Sequence, residues 1–254
     1  MMTTTTPIRV DTIPRIHHDE AMRIAAVENE KFAELLRSLG PDDWSSPTDC
    51  ALWDARALAA HVVGSAAGQA SVREFVRQVR KGKPITEELG SPNWWDGMNE
   101  LQVRERAALS TVELIAEWDV ISERARRARS RLPRPIARLP LLKLPPPVGR
   151  QPIAYLFDMG FTRDVWTHRI DIARATGRTL DVDAGHDGRI VADIVAEWAP
   201  LHGEPFTLDL SGPAGNSYAQ GADGEACSLD AVEFSRILAE RADGDGVLRH
   251  KLPL

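Results

Sequence analysis

The stretch "TRDVWTHRID", residues 162–171, sets Asp164 and His168 four positions apart among Val165, Trp166 and Ile170. On a helix this spacing puts the carboxylate and the imidazole on one face. A surface ion pair accounts for it, and so does half of a metal site. The run around it, from about Pro152 to Thr176, reads as a helix that stops at Gly177.

Outward from that helix the period stays helical. Ile24, Val27, Phe32, Leu35 and Leu36 recur on one face between His18 and the stop at Gly40-Pro41. "DDWSSPTDCALW" is a loop, and Asp54 can cap a second helix from Ala55 to about Lys81. "GKPITEELGSPNWW" reads as another loop. A third helix runs from about Asp96 to Arg131, with a break expected near Ser110-Thr111. Four helices of this kind, each with an apolar face, predict a bundle.

The texture changes in the last third. "RTLDVDAG" and "EPFTLDLSGPAG" read as strands, the second with Phe206, Leu208 and Leu210 on one side. "ACSLD" and "GVLRHKL" complete the strands, and "HDGRIVADIVAEWAPLHG" and "AVEFSRILAERA" are helical. The expected fold is therefore α+β and multi-domain. It comprises a tail with little structure at 1–17, a four-helix bundle at 18–178, and a small C-terminal α+β domain at 179–254. A connection at about 132–152 is rich in proline, which forbids a continuous helix. From residue 124 to 150 the charges are all basic: Arg124, Arg126, Arg127, Arg129, Arg131, Arg134, Arg138, Lys143 and Arg150. A solvated connection and an anion-binding rim both fit this run. A nucleic-acid arm fits least, because no aromatics are interleaved with the charges.

Composition narrows the function classes. The 254 residues are 43% hydrophobic and 27% charged, with a net charge of -6. That balance suits a soluble globular protein and argues against nucleic acid or an anionic membrane as partner. No apolar run is long enough to span a bilayer, and the first residues lack the apolar core of a secretory signal. Cys50 and Cys227 lie far apart, as expected of free thiols in a reducing cytoplasm.

His61 stands in "LAAHVVGSAAG", among apolar and small residues. Alone it reads as a hydrogen-bonded core histidine. With Asp164 and His168 it completes two imidazoles and a carboxylate, the protein ligands of an open catalytic zinc or of non-haem iron. Asp171, three residues after His168, can accept a hydrogen bond from a ligand imidazole, or pair with Arg174 on the surface.

The stretches "DWSSPTDCALWDARALAAHVVG", "NELQVRER" and "RDVWTHRIDIARATGR" together resemble the mycothiol-dependent maleylpyruvate isomerase family, within the DinB-like metal-binding superfamily. "SLDAVEFSRILAERADG" resembles its C-terminal domain. The resemblance implies a zinc held by His61, Asp164 and His168, although the family's characterised isomerase has Glu where this chain has Asp164. It implies a catalytic Arg, matched here by Arg241, although Glu240 stands where a Gly commonly precedes that Arg. It also implies mycothiol, or another low-molecular-weight thiol, as co-substrate. The expected activity is isomerisation of, or S-transfer to, a small electrophilic, anionic substrate, with the thiolate as nucleophile. The alternative is a non-catalytic metal-binding or regulatory module of the same fold. Cys50 reads as packing.

Overall fold

The structure is a computed structural model that describes residues 6–252. It divides into two compact units, one of residues 18–139 and 153–180, the other of residues 1–17, 140–152 and 181–254.

The first unit is helical. Helix α1 spans His18–Ser38, α2 Ala55–Ala70, α3 Val72–Leu89, α4 Trp94–Glu105 and α5 Thr111–Ser130. Single turns at Arg134–Ala137 (α6) and Ile153–Tyr155 (α7) precede a π-helical turn at Leu156–Gly160, which runs into α8, Phe161–Thr176. Helices α1, α2, α5 and α8 form the four-helix bundle, DinB-like in arrangement. Their apolar stripes close over Phe32, Leu36, Leu58, Leu114, Trp118 and Ile172, all fully buried. Phe32 meets Trp118 edge-on, with centroids 4.9 Å apart.

Helices α3 and α4 pack on each other and on α2, where the sequence pattern predicts the end of a longer α2 and a loop. The helix breaks at Ser71, whose backbone is extended and whose side chain accepts the Glu74 N–H, so Ser71 caps a new helix. That helix passes through Pro84 and ends at Gly90, in the left-handed region at φ 63°. The expected break near Ser110 is present as a capping box with Glu113.

The second unit holds a four-stranded sheet in the order β1-β5-β4-β6. Its strands are β1 Ile8–Arg9, β4 Phe206–Ser211, β5 Ser217–Gln220 and β6 Glu225–Asp230. Strands β2 Leu142–Lys143 and β3 Arg150–Gln151 form a separate antiparallel ribbon. Helices α9, Asp187–His202, and α10, Ala231–Leu238, complete the unit. Phe206, Leu208 and Leu210 face its core beside Trp198, Tyr218 and Phe234, as their alternation predicts.

Four expectations need correction. Residues 6–17 are not an unstructured tail: Ile8 and Arg9 pair in parallel with Tyr218 and Ala219, and Val10 is buried. Two residues are too short a strand to show any period. "GVLRHKL" holds a 3-10 turn, Gly246–Arg249, and no strand, and "RTLDVDAG" stays irregular. Residues 140–152 group with the sheet unit, where Leu142 pairs with Gln151.

Candidate metal centre

Helix α2 presents His61, and α8 presents Asp164 and His168 on one face, as four-residue spacing requires. Asp164 Oδ1 lies 3.6 Å from His61 Nε2 and 3.5 Å from His168 Nε2. These separations are too long for N–H···O hydrogen bonds. They match the edge of a tetrahedron around a zinc ion with bonds of roughly 2.0–2.2 Å, which is about 3.3–3.6 Å. Both imidazoles are buried, and they meet edge to face with centroids 5.2 Å apart. Asp164 is shorter than Glu by one methylene yet reaches both rings.

The other ring nitrogens show which way the lone pairs point. His168 Nδ1 lies 3.1 Å from Asp171 Oδ2, so it carries the proton and donates. His61 Nδ1 lies 2.9 Å from Gln102 Oε1. Gln102 Nε2 donates to Gln78 Oε1, and Gln78 Nε2 donates to the Gly64 carbonyl. A carbonyl can only accept, so this relay assigns both amides and leaves His61 protonated at Nδ1. In its neutral form each histidine then directs an unprotonated Nε2 toward Asp164.

Close packing makes the relay possible. A Cβ on Gly64 would lie 2.4 Å from Gln102 Cβ, so only glycine lets α4 approach α2 here. The small residues after His61 thus serve helix approach, one of the two roles their size allows. Trp53 lays its indole on His61, with centroids 5.1 Å apart and planes 27° apart, and donates from Nε1 to Glu100. Cys50 is more than packing: its Sγ lies 3.7 Å from Asp171 Oδ2, within the same cluster as His168.

Electrostatics follow from this enclosure. Burial alone would raise the Asp164 pKa, but the two imidazoles outweigh it and hold the carboxyl well below its usual range. Burial lowers the His168 pKa, while the neighbouring Asp164 carboxylate, the hydrogen bond to Asp171 and the nearby Cys50 carry it well above the ordinary value. Arg174 pairs with Asp49 at 3.9 Å.

The profile of the "Mycothiol maleylpyruvate isomerase N-terminal domain" matches residues 25–173. The chain belongs to this mycothiol maleylpyruvate isomerase family. Among solved structures, one described as the "mycothiol-dependent maleylpyruvate isomerase" is 18% identical, with a TM-score of 0.55 and coverage of 94% of each chain. A histidine-to-alanine mutant of that enzyme is 17% identical, with a TM-score of 0.55 and coverage of 94% of this chain and 93% of its own. Both show the fold of a mycothiol maleylpyruvate isomerase in each unit. No curated protein sequence matches the chain.

Arg241 follows α10 in the sheet unit and is partly buried, with Nη1 donating to the Ala239 carbonyl. Glu240 before it has φ 61°, the left-handed region that favours glycine. The Gly that the family resemblance puts at this position therefore has a backbone reason, and Glu240 occupies the same turn at a steric cost. Gln102, Gln78 and Trp53 are the residues that reading of spacing missed. Gln102 lies inside "NELQVRER", so the family stretch was its only signal.

Within the sheet unit, His202, Glu204 and His250 also bring ligand atoms within 4.8 Å of one another. Here the rings stack nearly parallel, 4.8 Å apart at 7°. His202 Nδ1 accepts the Glu204 backbone N–H at 3.1 Å, so its proton sits on Nε2. Glu204 Oε1 takes both Arg249 and His250 Nε2.

Proposed function

We propose that this chain is a zinc-dependent enzyme that uses a low-molecular-weight thiol, mycothiol by family, to isomerise or S-conjugate a small electrophile. The observation that carries the proposal is the pair of Nε2 lone pairs turned onto one Asp164 oxygen at tetrahedral-edge distances. A zinc ion held by His61, Asp164 and His168 would supply the positive charge that keeps a thiol as thiolate at neutral pH.

The chain's own residues do the rest. Asp164 supplies the negative charge that offsets a dication. Gln102 and Asp171 hold the two imidazoles in one tautomer and orientation, which keeps their lone pairs convergent. Trp53 covers one face of His61 and keeps water from it. The thiol sulfur adds to one carbon of an electron-poor alkene, the former double bond rotates, and expulsion of the thiol restores the alkene as its isomer. Retention of the carbon–sulfur bond, with a proton taken up at the neighbouring carbon, makes the reaction an S-transfer. Arg241, matched by family resemblance, is the candidate for a substrate carboxylate, which a guanidinium can take in two parallel hydrogen bonds.

The test is turnover of maleylpyruvate-like alkenes by the metal-loaded full chain, with and without added thiol. Turnover that requires both metal and thiol supports the proposal. Turnover without thiol rejects the thiolate mechanism. A filled metal site that is inert with every thiol indicates a non-catalytic metal-binding module.

A further inference from the structure

A groove of about 360 Å³ in the helical unit shares a wall with the metal cluster. Two of its lining residues belong to both: Trp53, stacked on His61, and Cys50, beside Asp171. Its other walls include Leu52 and Leu89, and its charged residues are Asp96 and Glu100. Leu52 is 83% exposed and Leu89 40%. Leucines left in water beside a polar cluster mark a binding surface more often than chance.

The charge in this groove has one sign. Glu100 is held by Trp53 Nε1 and by Arg104, and Arg104 is shared with Glu88. Asp96 takes only neutral donors, from Ser91 and Asn93. Both charged residues of the lining are acidic, so a carboxylate entering between them meets repulsion and loses hydration. An uncharged apolar group loses only its contact with water when it covers Leu52, Leu89 and Trp53.

We infer that this groove receives an uncharged, apolar substituent of the electrophile, so that the substrate class is alkenes that carry such a tail beside the reactive head. This rests on the thiol-transfer reading of the metal cluster. A carboxylate at the other end of the substrate is compatible with it, because the groove determines only what the tail carries.

The experiment compares two cis-enoic acids with the same reactive head and tails of equal length, one ending in butyl and one in carboxyethyl. Calorimetry on the metal-free full chain reads binding, and turnover with metal and thiol is read separately. The butyl compound is expected to bind about tenfold tighter, as burial of three or four methylenes in part allows. Leu52→Glu, at an exposed position where the fold does not depend on leucine, is expected to cut that preference to about twofold. Asp96→Asn, which keeps the shape, is expected to raise affinity for the carboxyethyl compound about threefold. Equal or reversed preference in the wild type overturns the inference, as does a preference that Leu52→Glu leaves intact. Tail-selective binding with no thiol-dependent turnover sinks the thiol-transfer reading and leaves the groove's selectivity standing. Turnover without tail preference does the reverse.

Discussion

Two clusters in this molecule hold the same ligand set of two imidazoles and one carboxylate, and they differ in what stands behind each ring. In the bundle, His61 and His168 each donate a hydrogen bond from Nδ1 and turn Nε2 toward Asp164. In the sheet unit, His202 receives a hydrogen bond at Nδ1, and its protonated Nε2 is buried without a hydrogen-bond partner among the described residues. A metal–imidazole bond lies in the ring plane. Two planes 7° apart do not meet at an ion, and Arg249 already neutralises Glu204. Ligand composition is therefore not a site. The backbone carbonyl of Gly64, acting through two glutamines, fixes the tautomer in which the neutral His61 leaves Nε2 unprotonated.

The largest expected effect breaks this contrast directly. His61→Ala or Asp164→Ala should weaken zinc binding by about a hundredfold or more, Asp164→Glu should retain it, and His250→Ala should leave it unchanged. Chelator competition measures all four, and equal losses for His250→Ala and His61→Ala would make the two clusters equivalent. The bundle should stay folded without metal, since its core rests on Trp118, Phe32 and Leu114.

Next in size are the residues behind the rings. Gln102→Leu and Asp171→Asn should each cost about 10–100-fold in zinc affinity while leaving all three ligands present. Affinity unchanged in both variants would mean that the tautomer relay is incidental. A smaller gain is expected in the sheet unit. Glu240→Gly should stabilise it by about 0.5–1 kcal/mol by relieving the φ 61° strain, with zinc titration unaltered. Thermal unfolding reads that difference, and a loss of stability would show that the Glu240 side chain outweighs its backbone.

The smallest effect is a difference in pH sense. Burial and the neighbouring His250 lower the His202 pKa, so its contribution to stability is full above pH 6.5 and is lost as pH falls through the folded value. At the start of α1, the hydrogen bond to Asp158 raises the His18 pKa. That contribution is full below pH 6.5 and is lost as pH rises through the folded value. Hydrogen exchange between pH 5.5 and 7.5 should show sheet amides losing protection toward acid and amides near His18 gaining it. His202→Gln should flatten the first trend and His18→Gln the second. A common direction in both places would refute the assignment.

The legible part of the metal cluster was what spacing and residue type carry. Asp164 and His168 follow from one helical period, and His61 from an imidazole among apolar neighbours. The relay was not legible, because it depends on α3 and α4 folding back against α2 after Ser71. The run through Ser71 reads as unbroken helix, and only the extended backbone there reveals the turn. In the sheet unit the six-residue strand β4 was readable by alternation. Strands β1 and β5, of two and four residues, carry too few side chains for a period. The 3-10 turn at Gly246–Arg249 reads as a strand because Val247 and Leu248 stand in a run too short to show a period.

The pairing of Ile8 with Tyr218 has a consequence for the order of assembly. The first strand precedes its hydrogen-bonding partner by more than 200 residues. The helices of the bundle can close as they emerge, apart from α8. The sheet unit gathers three separated pieces of chain and has to wait for β4, β5 and β6. Its pairings join residues far apart in sequence, so it is the slower unit to form.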